Sequence, residues 1–391
     1  MKRVYFDYNA TTPVHAEVAG FVKPFFHELF GNPSSLHWAG REIRGYYDRA
    51  KEQVAGLIKA EPHEIVFTSS GTEGDNHAVK GVAYAKRDRG KHIITSTVEH
   101  PGVLNACRYL ESKGCDVTYL SVDRNGQVHP EDVKKAIRKD TILITIMYAN
   151  NETGTLLPVR EIGEIARASG VLFHSDMVQA IGKMHIDIKS LNVDLASFSG
   201  HKVYAPKGVG ALYMREGLDI DNLIHGGHQE DGRRAGTENM IGIAAFGKAC
   251  EIVGGEIEEE NRRMEYLRKR LLEGILKKVD HVRFNGDPVN RLPNTINLSF
   301  EFVEAESLLI ALDLNGIAVS SGSACSSGST EPSHVLLAMD IPAELCQSAI
   351  RLSLGRGNTE EDVDYALSVI PGVVDRLRQM SQFYKKDENA K

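Results

Sequence analysis

Asp176 stands three residues before Gln179, and Ser199-Gly200-His201-Lys202 follows further along the chain. Each group comes directly after an apolar run that reads as a buried strand. A carboxylate at one strand end can keep a pyridine nitrogen protonated, and an amine at a neighbouring strand end can form an imine with an aldehyde. Together these are the chemistry of a pyridoxal phosphate site. Taken singly, an Asp after a strand also serves as a helix cap and a Lys as a solvated side chain. Convergence separates the two readings, because the carboxyl ends of strands in an open α/β sheet gather at one crevice.

Other groups fall at comparable places. Ser69-Ser70-Gly71-Thr72-Glu73 lies between the run Ile65-Val66-Phe67 and a helical pattern from Asn76 to Ala85. Free N–H groups and the positive end of the helix favour a phosphate there, although a plain N-cap needs only one of the hydroxyls. His100, in Thr97-Val98-Glu99-His100-Pro101, follows another strand and could lie over a pyridine ring and move protons near neutral pH. Asn150-Asn151-Glu152 and Arg351 offer an amide and a guanidinium suited to an amino-acid carboxylate, roles that compete with structural hydrogen bonding. Cys325 sits in a run of Ser and Gly from Ser320 to Ser329, whereas Cys107, Cys250 and Cys346 sit in apolar stretches. A thiol in so polar a loop is a candidate nucleophile. Two nucleotide signatures are excluded: no G-x-x-x-x-G-K-[ST] occurs, and Gly208-Val209-Gly210 has Tyr213 where a dinucleotide loop places its third glycine.

The elements that must position these residues are legible from about residue 64. Short β-rich runs (Ile65 to Phe67, His92 to Thr95, Val117 to Leu120, Ile142 to Met147, Val171 to Phe173, Leu195 to Phe198) alternate with helical patterns such as Pro158 to Ser169. That order predicts an α/β fold with a mostly parallel sheet between helices. After about residue 240 the texture changes. Glu256 to Lys278 reads as a charged helix with an apolar stripe, Asn294 to Phe300 and Gly316 to Val319 as strands, and Ala305 to Leu314 and Glu360 to Met380 as helices. A second, smaller domain is the expectation.

The 391 residues, 42% of them hydrophobic, suffice for two domains. The net charge of −7 is dispersed, and no basic run with interleaved aromatics supports a nucleic-acid partner. No segment approaches the roughly 20 apolar residues that span a bilayer, and the start carries Asp7, Tyr8 and Asn9 rather than a leader's apolar core, so a cytoplasmic location without membrane attachment is expected. Five cysteines, odd in number and without C-x-x-C spacing, argue against a disulfide framework and against a structural zinc site, and no metal ligands are expected.

In order along almost the whole chain, Asp7-Tyr8-Asn9-Ala10-Thr11-Thr12-Pro13, Gly31-Asn32-Pro33-Ser34-Ser35, the turn from Thr68 to Asn76, Glu99-His100, Asn150-Asn151-Glu152, Asp176 with Gln179, Ser199 to Lys202, Arg234-Ala235-Gly236-Thr237, Ser321 to Cys325 and Arg351 to Gly355 resemble the cysteine desulfurases of the NifS/IscS type, members of the class V aminotransferase family. The resemblance implies the fold-type I architecture of pyridoxal-phosphate-dependent transferases: a large domain with a mostly parallel seven-stranded sheet sandwiched by helices (14–256), and a smaller α+β domain (1–13 and 257–391) carrying the Cys325 loop. It implies that sulfur is removed from L-cysteine to give L-alanine and a Cys325 persulfide, for delivery to an iron-sulfur scaffold or another acceptor protein. By the same resemblance Lys202 is the Schiff-base lysine, Cys325 the sulfur-accepting nucleophile and His100 the group over the ring. Asp176 meets the ring nitrogen and Gln179 the ring oxygen. Gly71, Thr72, Ser199 and His201 hold the phosphate, joined by Thr237 from the second subunit of a homodimer, while Asn151 and Arg351 receive substrate. Two departures stand out: Ser70-Gly71-Thr72 replaces the Gly-Ala-Thr of many relatives, and the tail after Met380 lacks the extended C-terminal motif of the IscS branch, which puts scaffold docking in question. An aminotransferase of the same fold, a selenocysteine lyase, or a non-catalytic sulfur carrier using only Cys325 are the competing readings.

Overall fold

The computed structural model describes residues 2–321, 332–382 and 384. Its centre is a seven-stranded sheet whose spatial order is Ile65–Thr68, Gly210–Met214, Leu195–Ser199, Leu172–Asp176, Thr141–Thr145, His92–Ser96 and Asp116–Leu120. Gly210–Met214 runs antiparallel to both of its neighbours, and the remaining pairs are parallel. Because this strand reverses direction twice across the sheet, Ile65–Thr68 points the same way as the parallel strands. The turn at Ser69-Ser70 therefore opens at the edge where Asp176 and Ser199 end.

The inner strands are apolar and buried on both faces, which explains why they read as continuous runs rather than as alternations. The pleat divides them. Phe67, Ile94, Ile144, Phe173, Ala196 and Phe198 pack into one core, while Val66, Ile93, Leu143, Leu195 and Leu212 pack into the core on the opposite face. The helices Gly71–Ala85 and Pro101–Glu111 cover the second face, contributing Val79, Val82, Val103 and Leu110. This is the α/β sandwich expected from the sequence.

A third core belongs to a four-stranded antiparallel sheet of Ser320–Ser321, Ala349–Ser353, Thr295–Phe300 and Val282–Phe284. It is covered by the helices Ala305–Asp313 and Glu360–Met380. The N-terminal strand Val4–Tyr5 pairs with Ile317–Ala318 beside it, and Val4 and Phe6 join its core. One helix, Met240–Lys278, serves both bodies: Ile243, Phe246, Ala249 and Val253 pack on the large sheet, whereas Met264, Leu267, Leu271 and Ile275 pack on the small one. The expected boundary at residue 256 falls inside this helix. The helix also begins well before the expected Glu256, because its first turns are buried nearly all round and leave no polar face to mark a helical period. Among the described residues no helix is long and apolar enough to cross a membrane.

Candidate active site

At the carboxyl edge of the large sheet lies a cavity of about 340 Å³, lined by Gly71, Thr72, Asp75, His100, Asn151, Asp176, Gln179, Ser199, His201, Lys202 and Arg351 together with Asn9 and Ala10. Ten of the residues singled out from the sequence thus meet in one place. Asp176 is the last residue of Leu172–Asp176, and Ser199 is the last residue of the adjacent parallel strand, so Lys202 enters from the short helical turn Gly200–Lys202 just beyond it. His100 is set back from its strand: Ser96 ends the strand, and His100 caps the helix Pro101–Glu111 with Nδ1 accepting from the Gly102 N–H at 3.0 Å.

The two central charges are held by backbone. Lys202 Nζ donates to the carbonyls of Asn9 (2.6 Å) and Ala10 (2.8 Å), supplied by the N-terminal segment. Asp176 Oδ1 accepts from the Val178 N–H at 2.9 Å. Burial pushes the Asp176 carboxyl above its ordinary range, partly offset by His100, that same N–H and Lys202. A buried carboxylate so placed gains most from a cationic N–H donor in the cavity. Burial likewise lowers His100, with Asp176 opposing the shift. Because Nδ1 is the acceptor of a backbone N–H, the proton of the neutral ring resides on Nε2.

Gly71 and Thr72 open the helix Gly71–Ala85, whose cap is Ser70, its Oγ accepting from the Glu73 N–H at 3.1 Å. The first N–H groups of a helix have no intrahelical acceptor and suit an anion. A Cβ on Gly71 would lie 2.5 Å from Val178 Cγ2, so any larger residue would push into the wall of this cradle. His201, lowered to about 4 by burial and by Lys202, Lys207 and Lys183, takes part as a neutral ring. Arg351 is almost wholly buried; it donates to the Asn151 carbonyl (2.9 Å) and to Asp7 Oδ1 (2.8 Å), and its Nε has no partner among the described residues. The cavity thus presents a helix start suited to an anion and a buried guanidinium together with a lysine, an imidazole and two carboxyls.

Thr237 does not line this cavity; it lines a smaller one with Ser69, Arg234 and Gly236, where Arg234 pairs with Glu73 at 2.8 Å. Cys325 lies outside the described residues. The residues on either side of its segment are tied to the site. Ser320 pairs with Arg351 across strands, Ser333 Oγ donates to the buried Glu152 at 2.5 Å, and His334 Nε2 lies 3.0 Å from the Glu99 carbonyl. Cys107, Cys250 and Cys346 are buried, as their apolar surroundings in sequence suggested, and Cys115 is half-buried.

Sequence reasoning missed Asp75, whose carboxylate, the His100 imidazole and the Asp176 carboxylate present atoms within 4.8 Å of one another. Burial, then Asp176, drive Asp75 well above the usual carboxylate range. The available signal was an acid one helical turn after Gly71 and Thr72, on a face otherwise built of Gly71, Gly74 and Ala78. It also missed the backbone of Asn9 and the role of Lys183, which bonds Gln179.

The class-V aminotransferase model matches residues 4–366. A cysteine desulfurase IscS of Methanosarcina thermophila is 53% identical over 386 residues, covering 99% of this chain and 95% of that one. A solved NifS-like protein superposes with a TM-score of 0.91 at 40% identity, over 96% of this chain and all of its own. A structure described as SspA in complex with cysteine is 38% identical with a TM-score of 0.81, covering 90% of this chain and 98% of that one. With a strand-end lysine and aspartate converging as in the sequence expectation, and with such likeness along nearly its whole length, the chain belongs to the class-V aminotransferase family, among its cysteine desulfurases.

Proposed function

We propose that the protein uses pyridoxal 5'-phosphate, held by Lys202, to take sulfur from L-cysteine, giving L-alanine and a persulfide on Cys325. In the net step the substrate's C–S bond breaks and an S–S bond to Cys325 forms. The substrate's methylene takes the proton given up by the Cys325 thiol and becomes a methyl, so no outside oxidant or reductant is needed. The observation that carries this reading is the meeting of Lys202, Asp176 and His100 around one cavity that also presents a helix N-terminus and Arg351.

When bound, the pyridoxal group supplies an electron sink for negative charge at the substrate's α-carbon. The protein does the rest. Lys202 Nζ, aimed by the Asn9 and Ala10 carbonyls, tethers the group and then removes the α-proton. Asp176 holds a proton on the ring nitrogen. Neutral His100 would lie over the bound ring and could pass protons through Nε2. The N–H groups of Gly71 and Thr72, with Ser199 and His201, take the phosphate. Thr237 adds a donor to the phosphate of a second subunit, which makes the working unit a homodimer. Asn151 and Arg351 orient the substrate carboxylate. The acceptor of the persulfide sulfur is an iron-sulfur scaffold or another carrier protein, and the setting is the cytoplasm.

The direct test is the absorbance of the purified protein loaded with pyridoxal phosphate, before and after L-cysteine is added. A visible band that changes with that amino acid, with alanine and persulfide as products, is expected. A colourless protein, or a keto acid as product, would refute the reading. Arg351→Lys is expected to raise KM for L-cysteine by about 10- to 100-fold with a smaller change in kcat, because a point charge cannot reproduce the fork that meets Asp7, Asn151 and a carboxylate together. An unchanged KM in steady-state assays would remove Arg351 from the substrate site.

A further inference from the structure

Gln179 is pinned at both ends. Lys183 Nζ donates to Gln179 Oε1 at 3.0 Å and to the Gln179 carbonyl at 3.2 Å, while Gln179 Nε2 donates to the Asn9 carbonyl at 3.0 Å. An ammonium can only donate and a carbonyl can only accept, so the amide has one permitted orientation. Nε2 is left with one uncommitted N–H to offer the cavity. The Asn9 carbonyl that takes this amide also takes Lys202 Nζ. Lys183, Gln179, Asn9 and Lys202 therefore form one continuous hydrogen-bonded chain from the interior to the reacting amine.

Lys183 is an expensive way to orient an amide. Among the described residues no carboxylate lies within 4.0 Å of its ammonium: Glu260, which lines the same small chamber, is paired with Arg263, and Arg356, also in that chamber, with Glu256. Tyr8, Thr12, Tyr204, Asn261, Asn294 and Lys202 complete the polar lining of that chamber. Burial first, then Lys202 and Arg351, lower Lys183 to about 7. A neutral residue of similar reach would avoid the desolvation cost of a half-buried cation.

We propose that Lys183 is a positioning residue: it makes Gln179 a hydrogen-bond donor toward the cavity and places a second cation behind Lys202. This rests on the pyridoxal phosphate reading given above. A donor facing the ring's phenolic oxygen steadies that oxygen as an anion, and a cation near Lys202 disfavours a proton on its nitrogen. Both effects lower the pH at which the Lys202-linked nitrogen gains its proton.

The experiment is a pH titration of the visible absorbance of the pyridoxal-phosphate-loaded protein. In Lys183→Met the midpoint is expected to rise by about one unit or more. Lys183→Arg, which retains the charge and the donors, is expected to stay within about 0.3 unit of the parent. Gln179→Glu keeps the Lys183 contact but replaces the facing donor with an acceptor, and its midpoint is also expected to rise, so the proposal stays open to refutation even where Lys183→Met does not fold. A merely structural Lys183 would lower the melting temperature of Lys183→Met and leave its midpoint in place; that result, an unmoved Gln179→Glu, or a Lys183→Arg shift as large as that of Lys183→Met, would overturn the proposal. If the parent protein itself took up no visible band, the cofactor reading would fall, and this one with it.

Discussion

Replacing Lys202 by Ala is expected to cut L-cysteine turnover by at least about a thousandfold, since one side chain is asked both to tether the cofactor and to move the α-proton. Borohydride reduction of the loaded protein followed by peptide mass analysis should place a stable adduct on Lys202 in the parent and on no residue in the variant. The geometry makes the expectation specific. Lys183 is the neighbouring lysine, but its ammonium is turned to Gln179, whereas Lys202 lines the cavity itself and is aimed by two carbonyls. An adduct on Lys183, or full turnover by Lys202→Ala, would overturn the assignment.

Cys325→Ala separates the two halves of the reaction. The variant is expected to retain the visible band and its response to L-cysteine, because Lys202, Asp176, His100 and Arg351 are untouched, while alanine and persulfide formation fall by at least about a hundredfold. The competing readings predict otherwise. An aminotransferase would keep its rate without Cys325, and a non-catalytic sulfur carrier would show no band in either form. Normal alanine production by Cys325→Ala would leave the sulfur without its proposed acceptor. Cys325 stands out because Cys107, Cys250 and Cys346 are enclosed in the cores, where burial holds each thiol above its ordinary value. A neutral, enclosed thiol is a poor nucleophile.

Much of the site was readable before any coordinates, for a topological reason. Parallel strands buried on both faces appear as apolar runs, and the polar residues just beyond them share one edge of the sheet. Asp176, Ser199, His201 and Lys202 could therefore be grouped from one stretch of chain, and the turn at Gly71 and Thr72 from another. The elements that escaped notice lacked such a signal. The first turns of Met240–Lys278 are enclosed on nearly every side and show no helical period. Gly210–Met214, considered only as part of a failed nucleotide loop, is the one antiparallel strand of the large sheet, and its reversal turns Ser69-Ser70 toward the site.

The sequence by itself determined the kinds of chemistry available: an amine, an acid and an imidazole at strand ends, a helix start suited to an anion, and a thiol set in serine and glycine. Those follow from residue type and from local periodicity, which the linear order records. Only the tertiary structure decided which atoms steer them. The Asn9 and Ala10 carbonyls reach Lys202 from the far end of the chain, Asp75 comes beside Asp176 from a helix on the sheet's face, and half-buried Lys183 loses part of its water in a chamber that residues of the second body also line. Backbone carbonyls have no side-chain identity to be read, and desolvation is a property of surroundings rather than of residues; both exist only once distant segments have closed around the cavity.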